Sequence, residues 1–442
     1  VWVRAKPIGP LELRRRGLLG VQGDAHDPDV LRGAAAGHAA VVYLCTGESA
    51  ANLAIAAAVS RLAPAGRSDL AIYAQIHEPD WALTLQARRL GVPDVAAQRL
   101  DFFHLDELAV RVLLAQSPLP VRPDGSVPRV LVAGDSSLAR SLLVEFARHW
   151  RLHRRVAGSR VEVDFVAPDA TRELARLARR HGTLLDGCRI TAYEGMLSDV
   201  IDREPRYDRA FLCFTDERYG LQLALSEYRL WHAVDGDVVV AVDGLAELAD
   251  VFRPRRTPPL LDPLGGRLRL FSPVAAGGDP ALIAEDLSER LARLIHERYV
   301  VAGQARGDRR VVPSWADLPE SLRRSNRLQA ADIGPKLHRA NCAIVPAGGS
   351  AEVFRFRDDE IEALARRESR RWAEATEAEA RERGVPIDDQ TAPYLRDWED
   401  LPVDGQEKCR AAIRDIPDIL GEAGFQVVRL ADTEANRALH PA

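Results

Sequence analysis

The chain has 442 residues, 46% of them hydrophobic and 28% charged, with a formal net charge of −5. That length accommodates about two to four domains with their own cores. The acidic balance excludes the footprint of a nucleic-acid binder, so clusters such as Arg14–Arg16 and Arg309–Arg310 read as solvated faces.

Val1–Arg4 reads as a short strand, followed by a turn at Pro7–Pro10 and a helix near Leu11–Arg16. Gly20–Asp24 is a second strand running into a Gly-Asp turn, and Asp29–Ala35 a helix. Ala40–Cys45 is a continuous apolar strand ended by Thr46-Gly47; the small-residue helix Ser49–Leu62, the strand Leu70–Gln75 and the helix Trp81–Leu90 follow. Strands apolar on both faces, alternating with helices, predict a parallel doubly wound sheet. Its first element fits the second strand of a dinucleotide-binding fold, so the opening strand, glycine-rich turn and helix are expected to be missing.

The run GDAHDPDVLRGA and, after it, AAVVYLCTGESAANLAIA resemble the N-terminal domain of Trk-type potassium-uptake regulators and RCK channel domains. The resemblance implies that Asp24 and Thr46 line a cleft for NAD(H) or another adenine nucleotide. On the residues alone, Gly23-Asp24 is equally a plain turn and Thr46 a helix cap.

Pro118–Pro128 reads as a proline-rich linker, after which the pattern restarts. Arg129–Ala133, Val161–Val166, Asp208–Phe214 and Asp237–Val242 are strands; a helix running to Trp150, Ala170–Arg180 and Tyr219–Ala233 are helices. Two short segments mark the tandem: Leu44-Cys45-Thr46-Gly47-Glu48 answers Cys213-Phe214-Thr215-Asp216-Glu217. The turn after the first of these strands offers Gly134, Ser136 and Ala139 where the dinucleotide fingerprint wants G-x-G-x-x-G/A. Gly134 supplies the tight turn and Ala139 close helix packing, but the Ser136 hydroxymethyl crowds a pyrophosphate. The second unit therefore reads as a degenerate Rossmann unit, with an altered, smaller nucleotide site at Gly134, Ser136, Ala139 and Thr215 as the alternative. Gly265–Pro273 adds a strand, Asp279–Val300 an amphipathic helix with His296 and Tyr299 at its end, and Gly303–Arg310 a polar linker.

The third part contains an internal repeat. Trp315–Leu337 laid over Trp398–Leu420 at one offset agrees at Trp315/Trp398, Asp317/Asp400, Leu318/Leu401, Pro319/Pro402, Arg327/Arg410, Asp332/Asp415, Ile333/Ile416 and Leu337/Leu420. Asp317 is expected to cap a helix, with Glu320 completing a capping box. Each copy leads to an apolar strand, Cys342–Val345 and Phe425–Val428. Between the copies, the helix Glu360–Arg383 places Glu368 in an apolar stripe, where a carboxylate needs an Arg partner or a ligand. These separated motifs resemble the RyR domain, named for repeats in ryanodine receptors. The bacterial form's S-N-R is present as Ser325-Asn326-Arg327; its L-A-x-x-E-H-x-x-W appears as Leu364 to Trp372 with Ser369 for the histidine, and its G-W-x-x-G as Gly384-Val385-Pro386. The resemblance implies Trp315, Asn326, Arg327, Glu368, Trp372 and Trp398 as ligand contacts.

The expected organisation is thus an α/β chain: residues 1–117 an incomplete Trk/RCK-like Rossmann domain, 118–310 a degenerate Rossmann-like domain, and 311–442 a mainly helical RyR domain. Cys45, Cys188, Cys213, Cys342 and Cys409 lack CxxC spacing, which argues against a disulfide framework or zinc site and suits a reducing cytoplasm. No uncharged apolar run approaches the ~18 residues of a membrane span. With Val at position 1 and one Met in the chain, the expectation is a start inside a longer protein. The resemblance places a channel-like membrane segment upstream and implies a homodimer. No hydrolase or metal motif and no catalytic residue set is legible. The expected function is ligand-sensing regulation in the cytoplasmic part of a bacterial potassium-channel-like or nucleotide-responsive protein. The alternatives are an NAD(P)-dependent oxidoreductase and a non-binding scaffold.

Overall fold

The computed structural model describes residues 2–4, 13, 17–64, 70–91, 99–120, 126–153, 159–181, 184–202, 206–244, 267–285, 287–305, 313–315, 317–347, 354–384, 386–387, 389 and 391–431. The expected turn at Pro7–Pro10 and, apart from Leu13, the helix near Leu11–Arg16 lie outside these residues. The chain clusters into two compact units. Val1–Gln86, Asp94–Ala178 and Thr183–Asp286 make the first; Ala87–Pro93, Arg179–Gly182 and Leu287–Ala442 make the second.

The first unit is α/β of Rossmann type. Its larger sheet has the order β11-β10-β9-β6-β7-β8, where β6 is Arg129–Ala133, β7 Val161–Val166, β8 Cys188–Tyr193, β9 Arg209–Leu212, β10 Val238–Ala241 and β11 Leu268–Phe271. Every neighbouring pair is parallel. The central strands are fully buried: Val130, Leu131, Val132, Ala210 and Leu212 are all 0% exposed, as strands covered on both faces by helices must be.

The N-terminal strands repeat the flanks of that sheet without its centre. β1 (Trp2–Arg4) pairs with β2 (Gly20–Gln22), and β3 (Val41–Leu44), β4 (Ala71–Gln75) and β5 (Arg99–Phe103) form a separate parallel sheet. Aligned through the Cys-Thr-Gly-Glu and Phe-Thr-Asp-Glu segments, β3 corresponds to β9. The counterpart of β6, which lies between β7 and β9, is absent among the described residues. β3 is consequently an edge strand. Tyr43 is 36% exposed where its counterpart Leu212 is 0% exposed, so the expected burial of both faces fails there.

Two elements absent from the sequence expectation join the halves. β5 leads into α4 (Leu105–Gln116), whose Ala109, Val110, Leu113 and Leu114 lie in one core with Val130, Val132, Leu142 and Phe146 of the second half. The other helices to this point are α1 (Pro28–Gly33), α2 (Ser49–Leu62) and α3 (Pro79–Gly91). α5 (Ser137–His153) packs on α4, and so does the later helix Pro273–Gly277, where a Cβ on Gly277 would lie 2.6 Å from the Leu105 carbonyl oxygen. In the return direction, Ile283 joins Tyr73, Phe103 and Leu108 in a small core against the first sheet.

Two expected helices are broken. Tyr219–Ala233 is divided into Glu217–Ser226 and Tyr228–Ala233, because Glu227 caps the second piece by accepting from the Arg229 N–H. Asp279–Val300 is divided into Pro280–Ala284, in the first unit, and a helix at Leu287–Ala305, in the second. His296 and Tyr299 therefore sit within a longer helix rather than at its end.

The second unit is built from two equivalent halves. Numbering its helices onward, α13 is Leu287–Ala305, α14 Glu320–Ala331, α15 Ile333–Arg339, α16 Asp358–Arg383, α17 Val403–Arg414 and α18 Ile416–Glu422, counting the six shorter and longer helices between α6 (Ala170–Arg180) and α13 as α7 to α12. Each half runs long helix, helix, short helix, strand: α13-α14-α15-β12 (Cys342–Pro346) and α16-α17-α18-β13 (Phe425–Arg429). The backbone repeats in detail. Pro319 and Pro402 precede α14 and α17 at φ/ψ of −52°/142° and −51°/142°. Asn341 and Gly424, just before the strands, both adopt positive φ, 51° and 89°. β12 and β13 pair antiparallel with Ile344 opposite Val427, which are also equivalent positions of the repeat, so a pseudo-twofold axis passes through that pair. The repeat also extends upstream of the expected boundary at 311. Leu291-Ala292-Arg293 of α13 matches Leu364-Ala365-Arg366 of α16, and the same alignment sets Ile295 against Glu368 and Arg298 against Arg371.

The expected capping box at α14 does not form. Pro319 occupies the cap, Asp317 instead accepts from the Ser314 hydroxyl at 2.6 Å, and Glu320 turns to Arg327 at 2.5 Å. A capping box does exist at α16, where Glu360 accepts from the Arg357 N–H at 2.8 Å.

Candidate functional site

Parallel strands point their carboxyl ends to one side, where chain turns meet helix starts and ligands of open α/β sheets bind. In the first half this edge holds a polar ring. Asn52, 0% exposed on α2, accepts from the Thr46 N–H at 2.9 Å and the Thr46 hydroxyl at 2.7 Å. Its amide donates to the Gln75 carbonyl at 2.8 Å, which ties the exits of β3 and β4 together. The Ser49 hydroxyl donates to Glu78 at 2.5 Å and accepts from the His77 N–H at 2.9 Å. That hydroxyl holds the Glu78 carboxyl below its usual range. The His77 ring reaches the Thr46 carbonyl at 2.8 Å, and the buried His104 ring reaches the His77 carbonyl at 3.2 Å.

Asp24 lies past the end of β2 and is exposed. Its carboxylate accepts from the His26 N–H at 2.9 Å and meets the His26 ring at 2.8 Å, contacts that lower its pKa. Gly23 precedes it, and a Cβ there would lie 2.6 Å from a Val30 methyl, which would have to give way. No hydrogen bond joins Asp24 to Thr46, although α1 packs against α2. An exposed carboxylate and a hydroxyl at a strand end suit the hydroxyls of a ribose. A pyrophosphate wants a glycine-rich turn with free N–H groups, and the described residues of the first half contain none.

In the second half the structure brings Gly134, Ser136 and Thr215 together, but against one another. Gly134 has φ +135°, and a Cβ would lie 2.0 Å from the Cys213 carbonyl oxygen, so the turn is pressed onto the exit of β9. The Ser136 N–H donates to that carbonyl at 3.2 Å, the Thr215 N–H to Asp135 at 2.8 Å, and the Gly134 N–H to Val166 at 2.9 Å. Ala139 is fully buried under the helix start. The N–H groups of Gly134, Ser136 and Thr215 are thus occupied. Acidic groups also crowd this end: burial lifts Asp243 above its usual range, with Glu217 and Asp106 adding to the effect against hydrogen bonds from Val274 and Ser272.

The six positions expected in the C-terminal unit fall into separate clusters. Trp315 is half-buried between the His296 ring at 5.9 Å and the Arg293 guanidinium at 6.0 Å. Its equivalent Trp398 is buried, donates to Glu362 at 2.9 Å and lies between the guanidinium groups of Arg410 at 5.2 Å and Arg366 at 5.7 Å. Arg327 pairs with Glu320 and Glu289, as its equivalent Arg410 pairs with Glu362 at 2.8 Å. Asn326 and Trp372 are half-buried on their helices. Glu368 is buried and meets Lys336 at 2.5 Å and Arg371 at 3.0 Å. Burial raises its pKa, but Lys336 and then Arg371 outweigh that and hold the carboxyl below its usual range. The expected arginine from the neighbouring repeat is not what meets Glu368: that repeat supplies Lys336, 1% exposed, and Arg371 lies one turn along Glu368's own helix.

Among the described residues no group of three or more His, Cys, Asp or Glu could hold a metal, and no helix is long and apolar enough to cross a membrane.

Parallel sheets with hydroxyl, amide and carboxylate groups at their strand ends make the first half Rossmann-like. Residues 11–97 match the TrkA-N domain, whose members bind NAD(H)-type nucleotides. A comparison with curated proteins finds no match.

Proposed function

We propose that this chain is a ligand-sensing regulatory protein in which the first half takes NAD(H) or another adenine nucleotide and the C-terminal unit recognises a second ligand or a partner. The observation that carries the reading is Thr46, held by the buried Asn52 at the strand-end crevice of a segment matching TrkA-N. Thr46 and Asp24 contact the nucleotide, with Asp24 directed to a ribose hydroxyl. The second half, its turn closed on itself and its crevice acidic, acts as the transmitting body. The TrkA-N match favours a role associated with ion transport. The RyR-like motifs of the repeat favour recognition rather than reaction in the C-terminal unit, and the same resemblance favours a cytoplasmic homodimer.

Thermal unfolding and calorimetry with NADH, NAD, ATP and ADP-ribose test the reading. A nucleotide at a hundredfold its dissociation constant adds about 2.7 kcal/mol of stability. Thr46→Val removes the hydroxyl, and Asp24→Asn the carboxylate charge; each is expected to weaken binding at least fivefold. A chain that gains no stability from any of the four nucleotides, or whose binding ignores both substitutions, counts against the site.

A further inference from the structure

The two halves of the C-terminal unit close on each other through two equivalent contacts, and the contacts are chemically unlike. In one, α15 of the first half meets α16 of the second: Lys336 lies 2.5 Å from Glu368, with side chains 1% and 6% exposed, and Asp332 lies 2.8 Å from Arg367. In the other, α18 of the second half meets α13 of the first: Arg298 reaches Glu422 at 2.9 Å and Asp418 at 3.0 Å. The repeat alignment sets Lys336 against Ile419 and Glu368 against Ile295. Both isoleucines are buried, at 3% and 8% exposure. The same interior position of one pseudo-symmetric unit is thus filled by an ion pair on one side of the axis and by two isoleucines on the other.

We propose that this asymmetry is a pairing code that makes each half close only on its unlike partner. A pseudo-symmetric unit has competing closures, in which a first half binds the first half of another copy and a second half binds a second half. The first would bury Lys336 against Ile295 and set Arg298 toward Arg339, the equivalent of Glu422. The second would bury Glu368 against Ile419. Each separates the buried Lys336–Glu368 pair against an apolar partner, leaving Lys336 only Asp332 or Glu368 only Arg371 from its own half, and splitting a buried pair is costly. The native closure alone matches charge with charge and methyl with methyl. A single polar position fixes register and partner in coiled coils by the same logic.

The experiment uses the full chain with Ile344→Cys and Val427→Cys, cross-strand partners on the pseudo-twofold axis, as a trap. Native closure joins them within one chain, and like-with-like closure joins two chains, so a non-reducing denaturing gel separates the outcomes after urea unfolding, refolding and oxidation. Two variants erase the code in opposite ways. K336I/E368I makes both contacts apolar, and I295E/I419K makes both charged. Each is expected to increase the share of disulfide-linked dimer at least fivefold over the trap chain alone. Should one variant not refold, the other decides. An unchanged dimer share in the variants that fold overturns the proposal, and so does failure of both to refold, because it requires each matched closure to be stable.

Discussion

Replacing Lys336 and Glu368 singly and together tests whether the buried pair is needed for stability or only for its match. With Lys336→Ile, Glu368 keeps Arg371 at 3.0 Å, and the local set becomes two carboxylates against two guanidinium groups. With Glu368→Ile, Lys336 keeps only Asp332, at 3.2 Å, while Arg367 and Arg371 remain beside it. Removing one partner of a buried pair costs about 3–5 kcal/mol, so Lys336→Ile belongs near the lower figure and Glu368→Ile near the upper. The double variant reproduces what the equivalent contact already holds in Ile295 and Ile419. With Arg371 left to Asp332, it is expected within about 1 kcal/mol of the parent, since hydrophobic replacement of a buried pair is often neutral or favourable. Hydrogen exchange at the β12 and β13 amides reports this unit within the full chain. About 3 kcal/mol corresponds to more than a hundredfold faster exchange. A double variant as unstable as the sum of the singles would refute the reasoning, because the apolar pair would then not substitute for the charged one.

The same carboxyl sets a pH dependence. Its folded pKa lies below the ordinary 4.5, so its contribution is present above that value and lost as pH falls through the folded pKa. Protection of the β12 and β13 amides, relative to their intrinsic rates, should therefore fall below about pH 4.5, less steeply in K336I/E368I than in the parent; equal slopes would remove Glu368 from the account. Gly134→Ala must relieve both a positive φ and a 2.0 Å approach to Cys213. It is expected to cost about 3–5 kcal/mol in urea unfolding of the first unit, and a cost under about 1 kcal/mol would show that the turn moves freely.

How much of this was legible in the sequence depended on whether the signal was local. The tandem of parallel units, the repeat about Trp315 and Trp398, and the serine that stands at Ser136 in place of a fingerprint glycine all follow from motif and periodicity. β5 gives little signal because LDFF is short, whereas the amphipathic spacing of LDELAVRVLLAQ is itself a helix signal, overlooked beside the proline-rich linker. The breaks at Glu227 and Glu285 were missed because apolar spacing continues across them while the backbone does not. Asp317 failed as a cap because a proline stood between it and the helix. Lys336 gave no signal, since nothing local tells a buried lysine from a solvated one; only its equivalence to Ile419 shows that its position is interior. Of the candidate nucleotide contacts, Thr46 was legible at its strand end, whereas Asn52, Ser49 and His104 are brought there by helix and sheet packing.

The helix α4 has a consequence for where the first unit can be divided. It leaves β5 at the crevice edge and ends with its apolar face inside the core of the six-stranded sheet. The proline-rich segment that follows it is a punctuation mark in the sequence, yet the helix before that mark is built into the structure after it. The first sheet is thus bolted to the second by a rod whose far end is already seated in that core. Cutting the chain at the linker would give one fragment with an apolar helix in water and another with a hole in its core.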